Sequence, residues 1–477
     1  MTALWTHQDA AAATGGQCSA AWTADGVSID SRSLQPGDLF VAIQGDNSDG
    51  HAYVPDALAK GAAAAMVARN RPLDANTGPL LVVDDTDDGL RDLGRAARDR
   101  VSARLIGVTG SVGKTGTKEM LSRALAAQGP TASTQGNLNN HWGLPLSLAR
   151  MPQDTAFGVF ELGMNHAGEI APLSDLLRPD VAVITTVEAV HLEFFPSEEA
   201  IADAKAEIFY GMNDRGAAVL NIDNRHYARL RAHAEAAGLQ RICTFGADPS
   251  ADIHLTDMII DDDQAQVTAT IGGEALHYVI GAPGRHWVLN SLAVLGAIRM
   301  IGADHHSAAA QLADYRPMTG RGERQTVTLP DGTFLLIDES YNASPASMRA
   351  AIDVLGATGG DNGGRRIAVL GDMLEIGSTA PEAHASLAES LTQNRIHIAI
   401  MAGENMAHLA AALPKSVQAH HAADSEAIRQ IVLDTVQAGD VVMVKGSLGS
   451  RMIPIADALR ARDSRAPQAG ATDSGEA

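Results

Sequence analysis

Alternation between short apolar runs and helix-type stretches dominates this chain, and it predicts an α/β protein with mostly parallel sheets. In the first segment, Val27 to Arg32 leads to the turn Pro36-Gly37-Asp38 and the strand Leu39–Ile43. A polar loop over Gly45–Tyr53 follows, then an alanine-rich helix over Ala57–Ala65 and a strand over Pro79–Val83. Asp87–Arg100 carries a helical pattern that feeds the apolar run Leu105, Ile106 and Val108. Further on, Phe157–Leu162 and the near-continuous apolar Val181–Val187 read as strands covered on both faces. Helix over Ile201–Tyr210, strand over Ala217–Asn221 and short strands with polar turns to Ile280 come next. Pro283-Gly284-Arg285-His286 then opens a helix over Asn290–Gly302. After Tyr315 the alternation restarts, with a hairpin at Pro330-Asp331-Gly332 and a strand over Leu335–Glu339. Strands over Ile367–Leu370, Ile396–Ala402 and Val441–Val444 alternate with helices over Pro345–Leu355, Glu382–Thr392 and Ser425–Val436. Ala461–Ala477 is small and polar, and is expected to be disordered.

The 477 residues are too many for one core. The pattern predicts three α/β domains: a small N-terminal unit over 1–85, a central parallel-sheet unit over 86–316, and a C-terminal doubly wound, Rossmann-like unit over 317–460. A net charge of −21 argues against nucleic acid or an anionic membrane surface as main partner. Anionic ligands would then need local cations. Two cysteines, Cys18 and Cys243, make no disulfide framework. Neither a signal peptide nor a membrane-length apolar run is present, so a cytoplasmic protein is expected.

The strongest chemistry lies at Leu105–Met120, LIGVTGSVGKTGTKEM. Strand, glycine loop, Lys-Thr and helix are how a phosphate-cradling loop is built. Gly110, Ser111, Val112, Gly113 and Gly116 present backbone N–H groups, Lys114 reaches terminal phosphates, and the Thr115 hydroxyl suits Mg²⁺. The spacing is the short form Thr-Gly-x-x-Gly-Lys-Thr, with Val108 where the general pattern has glycine. Glu161, at the end of the following buried strand, is placed to share that cation. His191 lies just beyond Val181–Val187, where parallel sheets bind ligands, and is equally readable as structural. Lys205 reads on pattern alone as a solvated helix lysine. The amide cluster Gly136–Asn140 reads as turn chemistry or as a cradle for a polyhydroxylated ligand. Ser31 and Arg32 read as a solvated turn or as a phosphate or sugar contact.

Together these motifs resemble the Mur ligases, the ATP-dependent amino-acid and peptide ligases of bacterial peptidoglycan synthesis. The resemblance runs from about Asp30 to Leu459. It rests on Ser31-Arg32 with Pro36–Phe40, Thr109–Thr115, Gly136–Asn140, Glu161–His166, Asp338–Asn342, Gly371–Met373 and Lys445–Ser447, in the family's order. Within the family the pattern is most like the member that joins D-alanyl-D-alanine to UDP-MurNAc-tripeptide through an acyl phosphate. The resemblance implies ATP and two Mg²⁺ ions, one on Thr115 and Glu161 and one on His191. It implies that Lys205 is carbamylated and so becomes a carboxylate-like metal ligand. It also implies Asn290 at the adenine, Arg321 at the γ-phosphate and Asp338 at the ribose, with Ser31 and Arg32 at the UDP end. Asn139, Asn140 and Asn165 would face the sugar-peptide, and a monomer is expected.

Three departures stand out: His286-Trp287 in place of the family's His-Asn, Ser344 in place of Asn, and a later-placed Arg451. The nearest alternative is the sister ligase that adds the third residue to UDP-MurNAc-dipeptide. Its Asp-Asn-Pro-Arg motif is absent, and the region at Gly371 reads Gly-Asp-Met-Leu-Glu. Folylpolyglutamate synthase shares the two ATP-binding domains without this N-terminal one. A non-ligating P-loop nucleotide-binding module would leave Glu161, His191, Lys205, Arg321 and Asp338 without a role.

Overall fold

A computed structural model describes residues 3–45, 48–71, 77–190, 192–359 and 364–465. Three main sheets are built from successive parts of the chain. The first has the order Gln17–Cys18, Leu80–Val83, Ala64–Ala68, Asp38–Val41 and Gly26–Ser28, parallel except for its first strand. The central sheet has nine strands, with Arg104–Thr109 between Phe157–Glu161 and Val181–Ile184. Beyond Ala217–Asn221 and Arg241–Gly246 it turns into an antiparallel meander over Ile253–Ile260, Ala265–Ile271 and Glu274–Ile280. The third sheet pairs Glu323–Leu329 antiparallel with Gly332–Glu339, then continues in parallel through Val441–Lys445, Arg366–Gly371, Ile398–Ala402 and Gln418–Ala422.

One predicted helix is shortened. The helix expected over Ala57–Ala65 spans Val54–Ala59, and its last two expected residues, Ala64 and Ala65, begin the strand Ala64–Ala68, which is buried at every position. Alanine's helix preference is worth only tenths of a kcal/mol per residue, and Ala64, Met66, Ala65 and Val67 fill the cores on the two faces of the first sheet. The helix Thr86–Asp99 sits with this sheet as well: Leu90, Leu93 and Ala97 pack in a core with Trp5, Leu39, Met66 and Leu81. Leu146 and Ala149, from the helix Gly143–Ala149 of the central part, complete that core, and the Trp5 indole N–H donates to Ala149 O at 2.9 Å.

The first residues of the stretch expected to be disordered are docked. Arg462 donates to Val436 O at 3.0 Å, and Ser464 N–H donates to Thr328 O at 2.9 Å. The rest, 466–477, lies outside the described residues.

Polar contacts between the central and C-terminal parts include three among the described residues. Gly359 N–H donates to Asp262 Oδ1 at 3.4 Å, Arg324 Nε lies 3.8 Å from Asp263 Oδ1, and Glu193 N–H donates to Glu375 O at 3.4 Å. No helix among the described residues is long and apolar enough to cross a membrane.

Candidate active site

Thr109, Glu161 and Ile184 end three adjacent parallel strands, so the loop after Thr109 opens at their carboxyl edge. The next two strands along the chain, 131–133 and 157–161, lie on one side of Arg104–Thr109, and 181–184 and 217–221 lie on the other. That is the switch point where open α/β sheets bind ligands.

Gly110 and Gly113 adopt φ of +147° and +86°, which L side chains rarely adopt. A Cβ on Gly110 would come 2.0 Å from Thr185 Oγ1, so the loop closes onto its neighbour only through a glycine. Thr185 donates to Val112 O at 2.6 Å, Ser111 N–H donates to Thr186 O at 2.8 Å, and Ser111 Oγ accepts from Glu188 N–H at 3.0 Å. The segment 185–188 therefore braces the loop. Sequence reasoning left these bracing residues out, because a Thr-Thr pair at a strand end carries no signal of its own. The helix Lys114–Ala126 starts directly at Gly113, with its unpaired N-terminal N–H groups toward the loop.

Lys114 Nζ folds back onto Gly110 O at 2.7 Å and Ser111 O at 3.4 Å. Its pKa is pushed below the ordinary lysine value by burial; Glu161 opposes the shift, and the Arg321 charge adds to it. The turn Gly320–Gly322 that carries Arg321, from the C-terminal part, lies beside Trp287, which packs on Gly116 of the loop helix, and the Arg321 guanidinium is 4.1 Å from the centre of the Tyr341 ring.

The Thr115 hydroxyl donates to Glu161 Oε2 at 2.9 Å, and Asn139 Nδ2 donates to Glu161 Oε1 at 2.9 Å. Both Thr115 and Glu161 are buried. Glu161 N–H donates to Thr134 Oγ1 at 3.1 Å, while Thr134 O accepts from the fully buried Lys118 Nζ at 2.7 Å. Lys118 was absent from the sequence-predicted set; a lysine on the apolar face of the loop helix was its only trace.

One carboxylate and one hydroxyl are hard oxygen donors. Mg²⁺ is ordinarily held by one or two such groups, with phosphate oxygens and waters completing the octahedron. The pair Thr115–Glu161 beside a phosphate-cradling loop fits that ion. Groups of three or more His, Cys, Asp or Glu able to hold a metal do not occur among the described residues. His191 lies outside them.

Lys205 is a correction to the pattern-based reading. It is 2 % exposed rather than solvated, because the helix Glu198–Ala206 turns Ile201, Ala202, Ala204 and Lys205 inward. Burial, with Lys114 nearby, drives its pKa well below the usual lysine value. Its ammonium makes no hydrogen bond or ion pair with the described residues.

The other sequence-predicted residues fall into two groups. Asn290 packs against the loop, where a Cβ on Gly113 would lie 2.8 Å from its Oδ1. Asp338 is buried and accepts from Gly320 N–H at 3.1 Å and Ser340 N–H at 3.0 Å, and its carboxylate meets Arg460. Away from the loop, Asn140 Oδ1 accepts from Gly143 N–H at 2.9 Å, holding a helix start, and Asn165 is exposed. Arg32 is exposed and paired with Asp30 at 2.7 Å, and Ser31 O accepts from Lys60 Nζ at 3.0 Å, both in the first sheet's domain.

A phosphate-cradling loop at the switch point of a parallel sheet, approached by an arginine-bearing turn of a following α/β domain, defines a P-loop enzyme of the multidomain ligase type. The chain belongs to the Mur ligase family. Residues 23–98 match the family model for "Mur ligase family, catalytic domain", 108–298 that for the Mur ligase middle domain, and 320–448 that for the "Mur ligase, glutamate ligase domain". Among its relatives, the UDP-N-acetylmuramoyl-tripeptide–D-alanyl-D-alanine ligase of Escherichia coli (strain K12) is 34% identical, covering 92% of this chain and 94% of its own. The enzyme of that name from Rickettsia prowazekii is 31% identical over 95% and 99%. Of solved structures, MurF from Acinetobacter baumannii superposes with a TM-score of 0.82 at 28% identity, over 95% of this chain and 98% of that one. MurF ligase from Thermotoga maritima in complex with ADP gives 0.75 at 27%, over 92% and 97%.

Proposed function

We propose that this chain joins D-alanyl-D-alanine to the terminal carboxylate of UDP-MurNAc-tripeptide, using ATP and releasing ADP and phosphate. The observation that carries the reading is the meeting of Thr115 and Glu161 beside the loop that carries Lys114, with the Arg321-bearing turn of the next domain joined to the loop helix through Trp287. The relatives' names supply the substrates.

A carboxylate resists attack by an amine because oxide is a poor leaving group. Transfer of the γ-phosphoryl group to it makes an acyl phosphate and ADP. The amine then adds to the carbonyl carbon and loses a proton, and the tetrahedral intermediate expels phosphate as the amide forms. The difficulty is electrostatic, since a carboxylate must approach a polyphosphate. Lys114 and Arg321 bring positive charge to that meeting point, and the loop amides and helix N-terminus orient the phosphates. Mg²⁺, held by Thr115 and Glu161, would screen the phosphate charge.

Lys205 is proposed to be carbamylated. Burial favours the neutral amine of Lys205, whose lone pair adds to CO₂ with loss of one proton, leaving a carbamate. That turns the amine into an anion able to serve, with His191, a second Mg²⁺. Asn290 would contact the adenine and Asp338 the ribose, and Ser31 and Arg32 would hold the UDP end. Asn139, Asn140 and Asn165 would face the sugar-peptide. Both domains come from one chain, which supports a monomer; a cytoplasmic location is part of the same proposal.

The test is phosphate release from ATP with UDP-MurNAc-tripeptide and D-Ala-D-Ala, each omitted in turn, with the product weighed by mass spectrometry. Release that needs both substrates, with a UDP-MurNAc-pentapeptide mass, is the expected result. Turnover with UDP-MurNAc-dipeptide and a single amino acid would reassign the substrates, and no release under any combination would overturn ligation.

A further inference from the structure

Gly116 lies in the first turn of the loop helix, at a backbone conformation open to any residue; it is not among the glycines with positive φ. Glycine there is less favourable than alanine by roughly 1 kcal/mol in a helix, so the helix itself gives no reason for it. A Cβ at this position would come 2.3 Å from Cζ3 and 2.9 Å from Cη2 of Trp287. Trp287, in the first turn of the helix Arg285–Met300, is 7 % exposed and lies against the missing side chain. The same indole reaches the C-terminal domain: a Cβ on Gly322 would stand 3.7 Å from its Cζ2, with Pro317 at 3.4 Å and Glu339 at 3.2 Å. Its remaining faces meet the Tyr315 ring at 5.4 Å and the His286 ring at 5.1 Å between centroids.

Gly322 belongs to a tight loop. Gly320 N–H donates to Asp338 Oδ2 at 3.1 Å, Arg321 N–H to Met318 O at 2.9 Å and Gly322 N–H to Asp338 O at 2.8 Å. Gly320 and Gly322 take φ of +76° and +103°, so this loop has one sharp shape and presents Arg321 between them. A rigid indole therefore spans from the loop helix that carries Lys114 to the loop that carries Arg321.

We propose that Trp287 is a positioning residue: seated on Gly116, it sets the distance between the phosphate-cradling loop and Arg321. Trp287 need not touch the nucleotide for this role. The proposal rests on the ATP-dependent reading above, in which Arg321 acts on the transferred phosphoryl group. An error of about 1 Å in such a group costs on the order of 10²-fold in rate. Errors in Arg321 placement should therefore appear in kcat and leave ATP affinity, set by the loop amides and Lys114, largely intact.

The experiment is a double-mutant cycle on the full chain with Gly116→Ala, Trp287→Phe and the pair, reading kcat, KM for ATP and melting temperature. Gly116→Ala pushes the indole away; Trp287→Phe removes the ring atoms that meet both glycines. Each single change is expected to lower kcat by about tenfold or more, with KM for ATP within about twofold. The pair should match Trp287→Phe alone rather than the product of the two, because both act through one contact. Multiplicative losses, or losses carried by KM for ATP, overturn the proposal, as does either single variant at wild-type kcat. If Gly116→Ala fails to fold, the kcat-against-KM split of Trp287→Phe decides alone. A wild-type chain that releases no phosphate overturns the ligase reading itself; an active wild type with an uncoupled cycle overturns only the role of Trp287.

Discussion

Thr115, in the first turn of the loop helix, and Glu161, at the end of the strand Phe157–Glu161, are 46 residues apart in sequence, yet the threonine hydroxyl donates to Glu161 Oε2 at 2.9 Å. The carboxylate is held on its other oxygen by Asn139, so both oxygens are fixed and one buried negative charge sits beside the loop. Glu161→Gln keeps the shape and removes the charge. It is expected to lower ligation by about 10²-fold or more, by analogy with loss of a preorganised electrostatic group. Activity measured across a Mg²⁺ titration checks this, and a variant that reaches wild-type turnover at any Mg²⁺ concentration would refute it. Thr115→Ser, which keeps the hydroxyl, should retain most activity.

Lys205 offers a spectroscopic test. With ¹³C-bicarbonate, the wild type is expected to show one carbamate carbon resonance that disappears in Lys205→Arg. Arginine keeps the charge and length but remains a cation, so ligation should fall together with the signal. A resonance that persists in the variant would move the modification elsewhere.

Arg460 holds together an acidic corner of the C-terminal domain, meeting Asp338 and reaching Glu323 Oε2 at 3.2 Å and Asp457 Oδ1 at 2.9 Å. Arg460→Met leaves Asp338 buried without its cation. Removing one partner of a buried pair costs about 3 kcal/mol or more, readable as a shift of the C-terminal domain's denaturant midpoint. A change confined to a few tenths of a kcal/mol would show that the two backbone N–H groups on Asp338 suffice.

His384 is buried and neutral by design of its bonds. Its Nδ1–H donates to Ala380 O at 2.7 Å, and its Nε2 accepts from Met373 N–H at 3.0 Å. Burial holds its pKa below the ordinary histidine value, so the folded state binds fewer protons than the unfolded chain wherever the two differ. Stability from this group is full above about pH 6.5 and falls as the pH drops below it, toward the folded pKa. Denaturant titrations between about pH 7.5 and 5 should show a shallower loss in His384→Leu than in the wild type. Equal slopes would place the acid sensitivity elsewhere.

What was legible in the sequence is what local chemistry dictates. Gly110, Gly113, Lys114 and Thr115 are neighbours in the chain, and the loop they form needs little else. Strand ends such as Glu161 could be placed because a buried apolar run announces where it stops. The start of the strand Ala64–Ala68 was read as the end of a helix because alanine suits either state, and only the filled faces of the sheet decide. Lys205 looked solvated because helical spacing does not reveal which side of a helix meets another element. The pairing of Asp338 with Arg460 spans 122 residues and leaves no trace in either neighbourhood. Trp287 was visible as an oddity, but its partner Gly116 was read only as a phosphate contact.

The core that joins Trp5, Leu90 and Leu93 to Leu146 and Ala149 bears on how the molecule melts. Counted by sheets there are three domains, but the first two share apolar side chains, whereas among the described residues none of the apolar clusters spans residue 316. Cooperativity follows shared burial rather than sheet count. Calorimetry of this chain should therefore resolve two heat-absorption steps, with residues before 316 unfolding together and the C-terminal sheet separately. Motion between substrate-loaded and empty forms would correspondingly concentrate at one joint.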